Sequence, residues 1–187
     1  MAKLPKPYPN SFGMNPNMYN MPQYPFFINP YFFWPVPPTY NQNFNKPRIQ
    51  LKDYGPYPFV IDIEDATEQN NTFRTVLWTG ENLQVTVMSI DVGDDIGLEV
   101  HETGDQFIRI EDGQGLVQIG DSKDNLDYQK VLTDGSAIMI PAGKWHNVIN
   151  MGDRPLKLYA IYAPPEHPYN TVHQTKADER SSRRKYR

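Results

Sequence analysis

Nine short β-rich runs, spaced by turn signals, follow one another in the part of the chain beyond about residue 51. They read "FVIDI", "TFRTVLW", "LQVTVMSIDV", "QFIRIED", "LVQIG", "YQKVLT", "SAIMIP", "HNVINM" and "LKLYAIYA". Between them lie "TGEN", "DDIG", "DGQG", "TDGS", "PAGK" and "MGDRP", rich in the residues that turns require. Many short strands at this spacing mean a sandwich or a small barrel, so the expected class is all-β. The one weak helical candidate is "PPEHPYNTVHQTKADER", after the last run.

Residues 1–50 belong to a different regime. They hold 11 of the 18 prolines, eight asparagines and 12 aromatic residues. Proline at this density removes backbone donors and blocks both helix and central strand. No period of 2 or 3.6 survives there, so a disordered or polyproline-like arm is expected. The aromatics allow two roles: a sticky arm on its own domain or on a second copy, or an assembly segment. The Tyr/Pro/Asn composition is similar to that of bacterial spore-coat and other assembly proteins. The barrel is expected over residues 51–175, and residues 176–187 form a basic tail, read as a solvated terminus or as a binder of an acidic surface.

The two ends are basic while the net charge is -4, so the body between them is acidic. That argues against nucleic acid as a partner. The chain has no cysteine, which excludes disulfides and thiolate metal sites. Neither a secretory leader nor an apolar span is evident, so a cytoplasmic protein with no membrane partner is expected, a spore coat being the alternative.

Two stretches carry the chemistry. "GDDIGLEVHETGDQFIRIEDG" runs from Gly93 to Gly113, and "GSAIMIPAGKWHNVIN" from Gly135 to Asn150. They resemble the two signature motifs of the cupin superfamily. The second matches at Gly135, Pro141, Gly143, His146 and Asn150. In the first, Gly93, Gly113 and His101 match, Glu99 stands where the first histidine belongs, and Gln106 replaces the glutamate. The resemblance implies a double-stranded β-helix, the RmlC-like jelly-roll barrel, and a homodimer formed through the sheets. It also implies a metal site at Glu99, His101, Gln106 and His146.

Elementary geometry supports that set. Glu99 and His101 are two apart, so on a strand they share a face. Gln106 shares its face with Ile108 and Ile110, while Phe107, Arg109 and Glu111 point the other way. Asp105 is a rival for the Gln106 role, but alternation disfavours it. The rigid "PAGKWH" turn delivers His146 from a distant strand. The four groups offer two nitrogens, two oxygens and one negative charge, as many ligands and as much charge as three histidines and a glutamate. The added oxygen favours iron or manganese, with zinc or nickel left open. The alternative is a metal-free pocket in which Glu99 and His101 form an acid/base pair.

The remaining expectations are coarser. Asp94, Asp95, Glu102 and Asp105 are either solvated loop acids or an acidic rim that repels dianions, with Lys144 and Arg109 as local counter-charges. The segment with His167 and His173 reads as a lid or dimer arm, or as a contributor of Glu166 or His167 to the pocket. Trp145 and Tyr162 line either pocket or core. The function expected first is a metal-dependent enzyme on a small molecule, in its finer form a dioxygenase. A sugar isomerase or epimerase, a non-catalytic ligand-binding module and a spore-coat-type assembly protein are the alternatives.

Overall fold

The computed structural model describes residues 47–185. The expected N-terminal arm, apart from residues 47–50, lies outside the described residues. Eight of the nine β-rich runs are strands: β1 (Arg74–Thr79), β2 (Gln84–Ile90), β3 (Asp105–Asp112), β4 (Gly115–Gly120), β5 (Tyr128–Leu132), β6 (Ala137–Ile140), β7 (Trp145–Asn150) and β8 (Leu156–Ala163). A short β9 (Val172–His173) adds to the edge of β1. All pairings are antiparallel. They form a six-stranded sheet of order β6-β3-β8-β2-β1-β9 and a three-stranded sheet of order β5-β4-β7.

The period of two sorts each strand into an inner and an outer set. On β3 the inward residues are Gln106, Ile108 and Ile110, as alternation predicts. Register places Gln106 beside Tyr162, Ile108 beside Ala160 and Ile110 beside Leu158 of β8, which in turn face Gln84, Thr86 and Met88 of β2. These layers and the inner face of the small sheet, with Val117 and Val148, close one apolar core. Gly113, at φ +98, turns β3 into β4, and a Cβ there would meet the Leu156 backbone at 3.2 Å. Both the dihedral and the crowding call for glycine.

"FVIDI" is not a strand. Val60 is 95% exposed, and the chain enters helix α1 (Ile63–Gln69) instead. Asp62 caps that helix by accepting from the Asp65 amide at 3.1 Å, and Glu64 and Asp65 place negative charge in the first turn. Ala66 of α1 then packs on Leu77 and Val87, on the outside of the large sheet, with Ile49, Leu51 and Tyr54 around it. The outer face of this part of the sheet is therefore apolar as well.

The C-terminal segment also departs from expectation. Of the helical candidate only its end is helical, in α2 (Lys176–Lys185), and that helix takes in most of the segment read as a solvated tail. Thr175 and Asp178 cap it reciprocally: the Thr175 amide donates to Asp178 Oδ2 at 2.8 Å, and the Asp178 amide to Thr175 Oγ1 at 3.3 Å. No helix among the described residues is long and apolar enough to cross a membrane.

Candidate metal centre

The segment before β3 is irregular, yet it borders β7 through two isolated antiparallel bridges, Asp95 with Ile149 and Glu99 with His146. The Glu99 amide donates to the His146 carbonyl at 3.0 Å, and the His146 amide to the Glu99 carbonyl at 2.9 Å. Directly opposed residues send their side chains to the same face. The turn "PAGK" fixes the third group: the Gly143 amide donates to the His101 carbonyl at 2.8 Å, and Gly143 at φ +77 holds the turn. Backbone bonds thus set all three side chains before any side-chain contact is considered.

Glu99, His101 and His146 are all buried, and one ligand atom from each lies within 4.8 Å of the others. Glu99 Oε1 is 3.4 Å from His146 Nε2 and 3.6 Å from His101 Nε2. Two donors bound at about 2.1 Å to one ion stand roughly 3.0 Å apart at a right angle and about 3.4 Å apart at a tetrahedral angle. The observed separations suit a shared cation better than a hydrogen bond. His146 Nδ1 lies 2.9 Å from the Lys144 carbonyl, which only accepts, so Nδ1 carries the proton and Nε2 presents its lone pair to the centre. His146 Nε2 and Gln106 Oε1 are buried without a hydrogen-bond partner. These are the polar atoms that a bound ion would satisfy.

Gln106 is 3% exposed and inward, in the layer of Tyr162. The Tyr162 ring meets His101 edge-on at 5.4 Å and His167 edge-on at 5.1 Å. Glu166 Oε2 lies 3.3 Å from His101 Nδ1, so the segment after β8 does contribute, through Glu166. What holds that segment is Gln84 of β2. Its side-chain amide donates to the His167 carbonyl at 2.8 Å and accepts from the His167 amide at 2.9 Å.

Charge follows this geometry. Burial opposes ionisation of Glu99, but His101, His146 and the Arg74 guanidinium outweigh it and hold its carboxyl well below the usual range. Burial likewise opposes charging of His101, but Glu166 and Glu99 raise its pKa to about 9. Burial pushes the Tyr162 hydroxyl up to about 12.

The other expected groups lie elsewhere. Asp94 and Asp95 pair with Lys176 at 2.5 and 2.9 Å, and Asp105 accepts from the Ala142 amide at 2.9 Å on the exposed side of β3. Three of the four acids are thus engaged rather than forming a free rim. Lys144 pairs with Asp121, and Arg109 with Glu111 at 3.2 Å on the outer face. Arg74 and Gln84, both fully buried, are the polar residues that sequence reasoning missed.

A barrel of two antiparallel sheets, with histidine and carboxylate side chains gathered inside beside the Pro-x-Gly turn, defines the double-stranded β-helix class. This chain belongs to the cupin superfamily. A family model described as "Cupin domain" matches residues 86–162. The protein YrkC of Bacillus subtilis (strain 168) is 64% identical over 130 residues, covering 70% of each chain. Protein L612 of Acanthamoeba polyphaga mimivirus is 40% identical over 111 residues, 59% of this chain and 68% of that one. The crystal structure of BH2720 from Bacillus halodurans is 61% identical, covers 70% of this chain and 98% of its own, and superposes with a TM-score of 0.69. None of these names carries an activity.

Proposed function

We propose that this cupin is a metal-dependent enzyme acting on a small molecule, with Glu99, His101 and His146 as ligands and Gln106 as a fourth, weaker donor. The observation that carries the reading is the buried Glu99 oxygen 3.4 and 3.6 Å from two histidine nitrogens. Two histidines and one carboxylate with open positions characterise non-haem Fe(II) oxygenases, so the finer reading is a dioxygenase. Iron or manganese suits the mixed nitrogen and oxygen donors, with zinc or nickel as alternatives.

When bound, the metal supplies a Lewis-acidic centre with vacant positions for substrate and oxygen. The chain does the rest. Lys144 fixes the His146 tautomer, Glu166 orients His101, and Gln84 holds Glu166 in place. Tyr162 presents a neutral hydroxyl beside the site at any ordinary pH. The apolar layer of Ile108, Ile110 and Leu158 keeps water from behind the ligands.

One observation favours a second reading. His101 sits between two carboxylates, Glu99 and Glu166, which is also how an acid/base histidine is held in a metal-free pocket. That arrangement would serve an isomerase or epimerase on a sugar-like substrate. Metal analysis of protein purified without chelator separates the two. We expect near-stoichiometric transition metal in the wild type, and less than about a tenth of it in Glu99→Ala and in His146→Ala. Unchanged metal content in both variants refutes the ligand set. Oxygen uptake with enols, flavonols and keto acids then tests the dioxygenase reading.

A further inference from the structure

Arg74 is the largest fully buried polar side chain of the barrel, and the metal reading gives it no ligand to hold. It stands on β1 opposite Met88. Its guanidinium pairs with Glu179 of α2 and touches Met88 Sδ at 3.5 Å, while Nε has no hydrogen-bond partner. A guanidinium offers five N–H groups in a fork shaped for a carboxylate, and this one is only partly used.

The partner is attached in an unusual way. Among the described side chains of α2, Glu179 is the only buried one. The helix brings no apolar side chain into the body. It is held by Arg74–Glu179 and by Lys176 on Asp94 and Asp95. Ordering a residue costs about 1–2 kcal/mol of backbone entropy, which is ordinarily offset by apolar burial. A helix whose described side chains dock chiefly through ion pairs falls at the low end of local stability.

The wall beyond Arg74 is prepared for a polar guest. Inward positions run from Arg74, Met88 and Leu158, through Thr86 and Ala160, to Gln84, Tyr162 and Gln106. Thr86 Oγ1 and the Tyr162 hydroxyl are buried along this run with no partner but each other. Tyr162 in turn touches His101. Two hydroxyls bonded to each other leave one donor unused, and between a guanidinium and the candidate metal centre that is a group a ligand would satisfy.

We propose that Arg74 is the binding residue for the carboxylate of a small organic acid, that the Glu179 carboxylate occupies its place in this structure, and that α2 is displaced when the acid binds. A second polar group of the ligand lies toward Thr86 and Tyr162. This names the substrate class for the site proposed above and rests on that reading only for the ligand's far end. The carboxylate end needs no metal.

The test is hydrogen exchange of the α2 amides in the full chain after chelator treatment, so that failure of the metal reading and failure of this one are distinguishable. The probe is propionate, with its neutral isostere propionamide and equal-strength chloride as controls. A tethered carboxylate competes at an effective concentration in the millimolar range, so propionate acts only at tens of millimolar or above. We expect propionate to speed α2 exchange at least about fivefold, saturably, and both controls to leave it unchanged. In Glu179→Gln the competitor is gone, and the propionate midpoint falls at least about tenfold. Should propionate leave wild-type α2 exchange unmoved up to molar concentration, the ion pair is a structural tie and the proposal is overturned. An unchanged midpoint in a folded Glu179→Gln overturns it too. If that variant does not fold, the wild-type comparison of propionate with propionamide decides alone.

Discussion

Replacing Gln84 by leucine tests the link between barrel and site at its thinnest point. Leucine matches glutamine closely in volume, so the layer with Tyr162 stays filled. What disappears is the clamp on residues 166 and 167, two short bonds to the His167 backbone and a longer one at 3.3 Å from the Glu166 amide. Each ordinary hydrogen bond contributes about 0.5–1.5 kcal/mol net, and a buried group left unpaired costs about 1–3 kcal/mol. His167 is half-buried and Glu166 exposed, so water reaches most of the freed backbone. The Gln84 side-chain amide also donates to Thr79 Oγ1 at 3.0 Å, so the loss is set by three short bonds, about 1.5–4.5 kcal/mol. For a body of this size that lowers Tm by about 5–15 °C.

The functional consequence is separate from the stability loss. Without the clamp, Glu166 leaves its place 3.3 Å from His101 Nδ1 and the ring loses its orienting partner. Loss of such a partner typically weakens metal affinity 10- to 100-fold. Competition with a chromophoric chelator measures this at a temperature where the variant is fully folded, and exchange of the 166–168 amides reports the opened segment. A variant whose segment opens while its metal affinity stays within twofold of the wild type would refute the claim that this segment orients His101.

Three further outcomes follow from the same contacts. In chelator-treated protein the His101 ring should titrate near pH 9 by NMR, and in Glu166→Gln at least one pH unit lower, because burial then opposes charging with only Glu99 against it. Burial opposes ionisation of Asp94, but Lys176 and the Asp95 amide outweigh it and depress its pKa. The stability Asp94 gives the docked α2 is therefore complete above about pH 4 and is lost as pH falls through the depressed value, seen as faster α2 exchange with the barrel strands still protected. Gly113→Ala should destabilise by about 1–3 kcal/mol in denaturant titration, from a left-handed backbone and a Cβ 3.2 Å from Leu156.

The parts of this molecule that were legible in the sequence are those written locally. Gln106, Ile108 and Ile110 declare their face by alternation, and Gly143 and His146 are set by one turn. Two local signals were outweighed. The β-branched run "FVIDI" hides an N-cap at Asp62, and the acids at 64 and 65 are worth more at a helix start than Val60 and Ile61 are in a strand. In "TFRTVLW" alternation gives no answer, because Leu77 is covered on the outer face by the cluster of Ala66, Ile49, Leu51 and Tyr54, and residues 74–77 are all buried. A strand apolar on both sides does not reveal which side receives an arginine. That choice is made by Glu179, 105 residues away, and by the carboxylate of Glu99 within electrostatic reach. Glu166 is placed by Gln84, 82 residues earlier, in the same way. Side chains fixed by backbone turns can be read from spacing. The residues that orient and charge them are fixed by side chains from other strands, and only the closed barrel brings those together.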